Sequence, residues 1–331
     1  MLLNLLEYQW AEDLDEALIL LARTDIKTVA LAGGTYLLGH ENDEIQAVVD
    51  LRDLELAYIE DGAPATNDSA RVRLGAMTTL QVLANSPLLR ELATGILARA
   101  AKASSSSLLI RNSATLGGTL ALGVEAQADL LTALAVLDAE VVLRSSSRTQ
   151  LDLAGGSLDR PGFALSGVTF KGKQERRVPC IALNSERRAN ELIIEVAIPS
   201  AAVGWGGAFM RVGRTQTDLA LLNVAASVDV KDNTYARVRL ALGGVNMEPV
   251  RLTTVERQLE GQPVNVQGSN ALDVQRLAGI LQAGMAGFQP PSDFRASGGY
   301  RRVVGMNLAF RALEEATNVS RWRNMVSSEG R

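Results

Sequence analysis

A chain of 331 residues is too long for one minimal domain and fits two or three packed subdomains sharing a core. With 47% apolar and 21% charged residues, and a net charge of −4 whose signs are interspersed, it reads as an ordinary globular protein without the electrostatic footprint of a nucleic-acid binder. A single cysteine, Cys180, and a single histidine, His40, exclude an intramolecular disulfide, an iron–sulfur cluster and a zinc centre built from this chain alone.

The opening stretch, Met1 to Asp13, carries Glu7, Glu12 and Asp13 and lacks the cationic lead and cleavage site of a signal peptide. No apolar run of about 18 residues could span a bilayer, so the expected location is the cytoplasm. Residues Leu14 to Arg23 have apolar positions at helical spacing behind the capping candidates Asp13 and Asp15. Thr28 to Leu31 is a short buried strand stopping at Gly33-Gly34, and Ala47 to Leu51 is a second; this alternation indicates an α/β layer. A polar stretch, Glu60 to Ser69, precedes a strand at Arg71 to Leu74, a helix at Thr79 to Ala84, and another helix over Leu88 to Ala103 that ends in the serine tract Ser104 to Ser107. A second glycine turn lies in Ile110 to Thr119, followed by a helix over Ala128 to Leu137 and a strand at Glu140 to Leu143. Arg144 to Asn190 is irregular, and a strand returns at Leu192 to Ile198, ending at Pro199. Beyond a boundary near Ser200 the pattern predicts a helix at Asp218 to Val224, strands at Ala226 to Val230 and Arg237 to Leu242, and helices near Val255 to Leu259, Leu272 to Gly284 and Tyr300 to Ala316.

Two constellations carry chemistry. In Ala32-Gly33-Gly34-Thr35, adjacent glycines after a strand let the backbone take positive φ and approach a ligand, while successive N–H groups form an anion-holding concavity. Thr115-Leu116-Gly117-Gly118-Thr119 repeats the theme, and two such loops from distant parts of the chain could clasp a dinucleotide's pyrophosphate. Neither matches the G-x-G-x-x-G fingerprint or the P-loop. His40 reads as an exposed loop residue, and the pairs Arg176-Arg177, Arg187-Arg188 and Arg301-Arg302 as solvated surface.

Ala30 to Leu38, Ile110 to Gly118, and Ala128-Asp129-Leu130 running into Ala133 to Ala139 resemble the FAD-binding medium subunit of the xanthine dehydrogenase and carbon monoxide dehydrogenase family, the molybdenum hydroxylases. The likeness continues in the family's order through Glu191 to Pro199, Phe209 with Arg214 and Asp218, Gly243-Gly244-Val245 with Pro249 to Arg251, and Ser292-Asp293-Phe294-Arg295 with Tyr300-Arg301-Arg302. It weakens between Arg144 and Asn190.

The resemblance implies an α+β fold: a two-subdomain FAD-binding unit of the vanillyl-alcohol-oxidase/PCMH type over residues 1–200 (subdomains about 1–58 and 59–200), then an antiparallel sheet with a helical bundle over 201–331. FAD is the implied cofactor. Ala30, Leu31, Ala32, Gly33, Gly34, Thr35, Tyr36 and Leu37 would wrap its pyrophosphate, with Ala114, Thr115, Gly118 and Thr119 closing over it. Asp129 would face the adenosine ribose, and Ile193 and Phe209 would stand near the flavin. Thr119 replaces a frequent Asn and Met210 a frequent Lys, and one extra residue precedes Asp129. The implied partners are a molybdopterin-containing large subunit and a 2Fe-2S small subunit, assembled as pairs of heterotrimers, with this flavin passing electrons to an external acceptor. Two other readings are a free-standing flavin oxidase or reductase, and a flavin-free scaffold subunit.

Overall fold

The computed structural model describes residues 2–62, 71–145, 174–215, 217–244, 247–264 and 274–329. Most of the polar stretch after Glu60, the irregular segment over 146–173, Val245 and the first two positions of the helix expected from Leu272 lie outside them.

The first layer comprises β1 (Glu7–Trp10), α1 (Leu14–Leu21), β2 (Thr28–Leu31) and β3 (Ala47–Asp50). Asp13 caps α1 by accepting the Glu16 N–H at 2.8 Å. The strands pair in parallel in the order β1-β3-β2. The central β3 is buried at all four positions, as the middle strand of a covered parallel sheet requires. β1 was not expected, because its pattern is inverted: Glu7 and Gln9 are half-buried while Tyr8 and Trp10 face outward.

The second layer contains β4 (Ile59–Gly62), β5 (Arg71–Gly75), α2 (Leu80–Asn85), α3 (Pro87–Glu91), α4 (Ile96–Ala103), α5 (Leu108–Ser113), α6 (Leu116–Ala121), α7 (Val124–Val136), β6 (Glu140–Ser145), β7 (Gln174–Pro179), α8 (Leu183–Glu186) and β8 (Glu191–Pro199). Its sheet is antiparallel in the order β4-β5-β8-β6-β7. The single helix expected over Leu88 to Ala103 is broken, with Ala93, Thr94 and Gly95 at φ of 42°, 59° and 75°. The break admits a neighbouring strand: the Gly207 N–H donates to Thr94 Oγ1 at 3.0 Å, and a Cβ on Gly207 would stand 2.0 Å from the Ala93 carbonyl oxygen.

The third layer comprises β9 (Gly206–Val212), β10 (Leu222–Lys231), β11 (Thr234–Gly244), β12 (Met247–Arg251), α9 (Thr253–Leu259), α10 (Val274–Gly284) and α11 (Gly298–Glu329), with an antiparallel sheet in the order β12-β11-β10-β9. The helix expected at Asp218 to Val224 is instead a loop entering β10. The Leu221 N–H donates to the Val212 carbonyl at 2.7 Å, and Leu222 to Val224 pair with Val212 to Met210. A short apolar run such as Leu219 to Leu222 fits either a helix or a buried strand, and here the edge of β9 decides. Gly243 and Gly244 are the end of β11.

α7 joins these layers. From Ala128 to Val136 it is buried at every position, Leu130, Leu131, Ala133, Leu134 and Val136 among them, as for a helix enclosed by sheets. One core unites Val141 and Val196 of the second sheet, α7, and Ala225 and Ala241 of the third. The opposite face of the third sheet packs Val224, Ala226 and Val228 against Ala309, Ala312 and Ala316 of α11. Three arginines from the third layer close over the end of α7: Arg237, Arg239 and Arg251 donate to the Asp138 carboxylate at 2.8, 3.0 and 3.1 Å. Arg237 and Arg251 also donate to the terminal carbonyls of Val136 and Ala135, both at 3.0 Å. The Arg237 guanidinium lies 3.5 Å from the centroid of the Trp205 ring.

Candidate functional site

The two glycine pairs come together, although they do different work. Gly34 takes φ +69°, the left-handed conformation that glycine adopts without cost. Gly33 has no room for a side chain, since a Cβ there would stand 1.7 Å from the Ser113 carbonyl oxygen. After this turn the Leu38 N–H closes onto the Gly34 carbonyl and the Gly39 N–H onto that of Tyr36, both at 3.0 Å. The N–H groups from Gly33 to Leu37 donate to no acceptor among the described residues, and neither does the Thr35 hydroxyl. Five successive amides on one loop are thus available to an anion.

The second glycine pair is not a turn. Gly117 and Gly118 sit in the first turn of α6, and the donors there are already used: Leu116 N–H to Thr78 O at 2.9 Å, Gly117 N–H to Ala76 O at 2.7 Å, Gly118 N–H to Thr115 Oγ1 at 3.1 Å, and Thr119 N–H to Thr115 O at 2.9 Å. Its contribution is shape. A Cβ on Gly117 would stand 2.7 Å from that of Ala76, and one on Gly118 would stand 3.4 Å from that of Ala32, so α6 lies flush against the first loop. The expected pair of anion-holding turns is one donor loop backed by one packed helix start.

A cleft of about 390 Å³ opens between them. Ala30 to Leu37, Thr115, Gly118, Thr119 and Ile193, all expected at the site, line it. Leu18, Leu21, Leu51, Leu56 and Met77 make the rest of the wall largely apolar, and the segment Arg187 and Ala189 to Ile193 crosses one side. Tyr36 stacks on His40 with ring centroids 4.0 Å apart, so the exposed histidine buttresses a residue of the wall.

Three expected residues stand off the wall. Ala114 is buried behind Gly33, and its carbonyl accepts the Leu80 N–H at 2.9 Å. Asp129 is buried on α7 and turned toward the third layer, where its carboxylate accepts from Asn223 Nδ2 at 2.6 Å and lies 3.7 Å from Arg211 Nε. Burial raises its carboxyl above the ordinary value of 3.8, against the pull of Arg211 and Asn223. Phe209 is buried in the core that α7 shares with both sheets, and Met210 packs on the other face of its strand, toward α11.

Sequence reasoning missed Arg187 and Glu191 on this wall. Glu191 is buried, and its carboxylate is held by Arg176 at 2.6 and 2.9 Å and by the Arg188 N–H at 2.8 Å. The Arg176 contact, which outweighs the effect of burial, keeps its carboxyl below the usual range. Arg187 was read as surface, because nothing in a pair of adjacent arginines tells which one the chain turns inward. Chemically, the wall offers hydrogen-bond donors and apolar surface, which suits a long, partly anionic and partly aromatic ligand, and the described lining carries no evident acid–base pair for moving a proton.

Two family descriptions match the chain: FAD binding domain in molybdopterin dehydrogenase over residues 4–159, and CO dehydrogenase flavoprotein C-terminal domain over residues 207–316. The chain is 26% identical to the glyceraldehyde dehydrogenase medium chain of Sulfolobus acidocaldarius, over 93% of this chain and 97% of that one. It is likewise 26% identical to the carbon monoxide dehydrogenase medium chain of Hydrogenophaga pseudoflava, over 94% and 96% of the two chains. The solved carbon monoxide dehydrogenase of Hydrogenophaga pseudoflava contains a chain of the same fold, with a TM-score of 0.74 at 24% identity over 96% of this chain and 99% of that one.

Proposed function

Because the chain belongs to the family of FAD-binding medium subunits of the molybdenum hydroxylases, we propose that it holds one FAD noncovalently in this cleft and relays electrons from iron–sulfur clusters on a partner subunit to an external acceptor. The observation that carries the reading is the loop from Gly33 to Leu37, whose five unspent amides border an apolar cleft. These amides and the Thr35 hydroxyl would hold the pyrophosphate, with Ala30 to Ala32 leading into the turn and Ala114 seating Gly33. Thr115, Gly118 and Thr119 would form the opposite surface, and Ile193 the apolar wall nearest the flavin. Asp129 and Phe209 would serve the site from behind, by fixing the third layer against it. FAD, when bound, supplies the exchange between one-electron and two-electron carriers. The protein's part is to bind it, orient it and exclude water from its apolar side.

The partners are a molybdopterin-containing large subunit, where the organic substrate reacts, and a 2Fe-2S small subunit, in pairs of heterotrimers located in the cytoplasm. Among the described residues no helix is long and apolar enough to cross a membrane.

Two measurements test the reading. Acid treatment of the purified chain should release intact FAD, so FMN, a covalent flavin or no flavin after reconstitution would refute it. Under anaerobic conditions dithionite should bleach the flavin of the isolated chain directly, while purines, aldehydes, carbon monoxide or aromatic N-heterocycles should bleach it only with the co-purifying subunits. Bleaching of the isolated chain by an organic substrate would mark it as a free-standing oxidase.

A further inference from the structure

The cleft wall carries two charged side chains, Arg187 and Glu191, and they differ in how they are compensated. Glu191 is held by Arg176 and by the Arg188 N–H. Arg187 is half-buried and forms no ion pair among the described residues; its one hydrogen bond there runs from Nη2 to the Ala121 carbonyl at 3.2 Å. Ala121 is the last residue of α6, the helix that begins with the second glycine pair. The tether therefore sets the guanidinium at the far end of α6, a helix about 9 Å long, on a cleft that Gly33 to Leu37 also line.

A pyrophosphate brings about two negative charges into this cleft. The donors from Gly33 to Leu37 are neutral, and those at the start of α6 are spent. Moving an anion from water into a largely apolar cleft is costly unless a cation accompanies it. A guanidinium, planar and permanently charged, pairs phosphate oxygens in a two-pronged geometry. We propose that Arg187 is the cation that pairs the FAD phosphates, a binding residue whose neighbour Arg188 faces solvent. This rests on the FAD reading above.

The test uses the full chain freed of flavin, titrated with FAD by fluorescence quenching at low and at physiological salt, with circular dichroism to verify folding. Arg187→Gln should weaken FAD binding at least tenfold and flatten its salt dependence, because the screened ion pair has gone. Arg188→Gln, a control that removes the same charge from the adjacent position, should bind as the parent chain does. Arg187→Lys should recover part of the affinity and keep the salt dependence. Binding by Arg187→Gln within twofold of the parent overturns the assignment, as do equal losses in the two glutamine variants or a lysine variant as weak and as salt-insensitive as the glutamine one. Failure of the parent chain to bind FAD at all is a different result, which removes the FAD reading and the assignment with it.

Discussion

At Gly33, Gly34 and Gly118 the absent side chain has three different causes: a carbonyl 1.7 Å from where a Cβ would be, a φ of +69°, and a capping hydroxyl 2.8 Å away. Gly34→Val sets a branched side chain in a left-handed conformation, with a strain of about 1–3 kcal/mol. Gly118→Val pushes the Thr115 cap out of place. Each should lower FAD affinity at least tenfold, about 1.4 kcal/mol, while circular dichroism stays unchanged; unaltered affinity in both would make these glycines simple packing positions. The glycines were legible in sequence because only one residue type meets such demands. Arg187 was not, because its role depends on where α8 leaves the chain after a long intervening segment. Asp129 was legible by type, since a carboxylate suits a ribose, while its hydrogen bond from Asn223 was not.

Elements marked by helical apolar spacing or by a continuous apolar run are legible in the sequence, and those without either signal are not. α1, β2, β3 and β8 fall close to where their apolar spacing puts them. β1 presents aromatics to solvent, and β9 opens with Gly206-Gly207, which carry no side-chain pattern. The break after α3 has one local signal, Gly95, but Ala93 and Thr94 take the same left-handed conformation where Gly207 packs against them, which the sequence does not announce. The start of α11 depends on a pair that the family motif displays without explaining. Asp293 accepts the N–H groups of Arg295 and Ala296 at 2.8 and 2.9 Å and pairs with the buried Arg301 at 2.7 Å, and the Arg301 contact holds its carboxyl well below the ordinary range. Asp293→Ala strands a buried guanidinium and should cost about 3–5 kcal/mol in urea unfolding. Adding Arg301→Met should restore most of the loss, and no recovery would mean that the turn at Asp293, and not the charge, is what matters.

For the whole molecule the decisive joint is the end of α7. Burial pushes the Asp138 carboxyl up, but Arg237, Arg239 and Arg251 outweigh it and hold it below its ordinary 3.8. A depressed carboxyl stabilises the fold at pH above its unfolded value, and that contribution is lost as pH falls below about 4 through the folded value. Asp138→Asn keeps the left-handed backbone, φ 51°, that asparagine tolerates, and removes the charge. The variant should be less stable than the parent near neutrality by about 2 kcal/mol, with the gap narrowing below pH 4. Trp205, buried beneath Arg237 while Trp10 and Trp322 are exposed, gives the blue-shifted emission that follows it; a gap constant down to pH 3 would rule out the charge as its source. The order of elements was largely readable in advance, but this docking was not, since it joins small residues scattered through the chain. Thr132 meets Gly243 so closely that a Cβ on the glycine would stand 2.1 Å from the threonine oxygen. The two family descriptions divide the chain after α7, yet one side of that helix is finished only by the sheet that follows. A gene cut at that division would encode a first half with an open flank and a second half without its floor. Exchange of halves between relatives would succeed only where the helix and the sheet had diverged together.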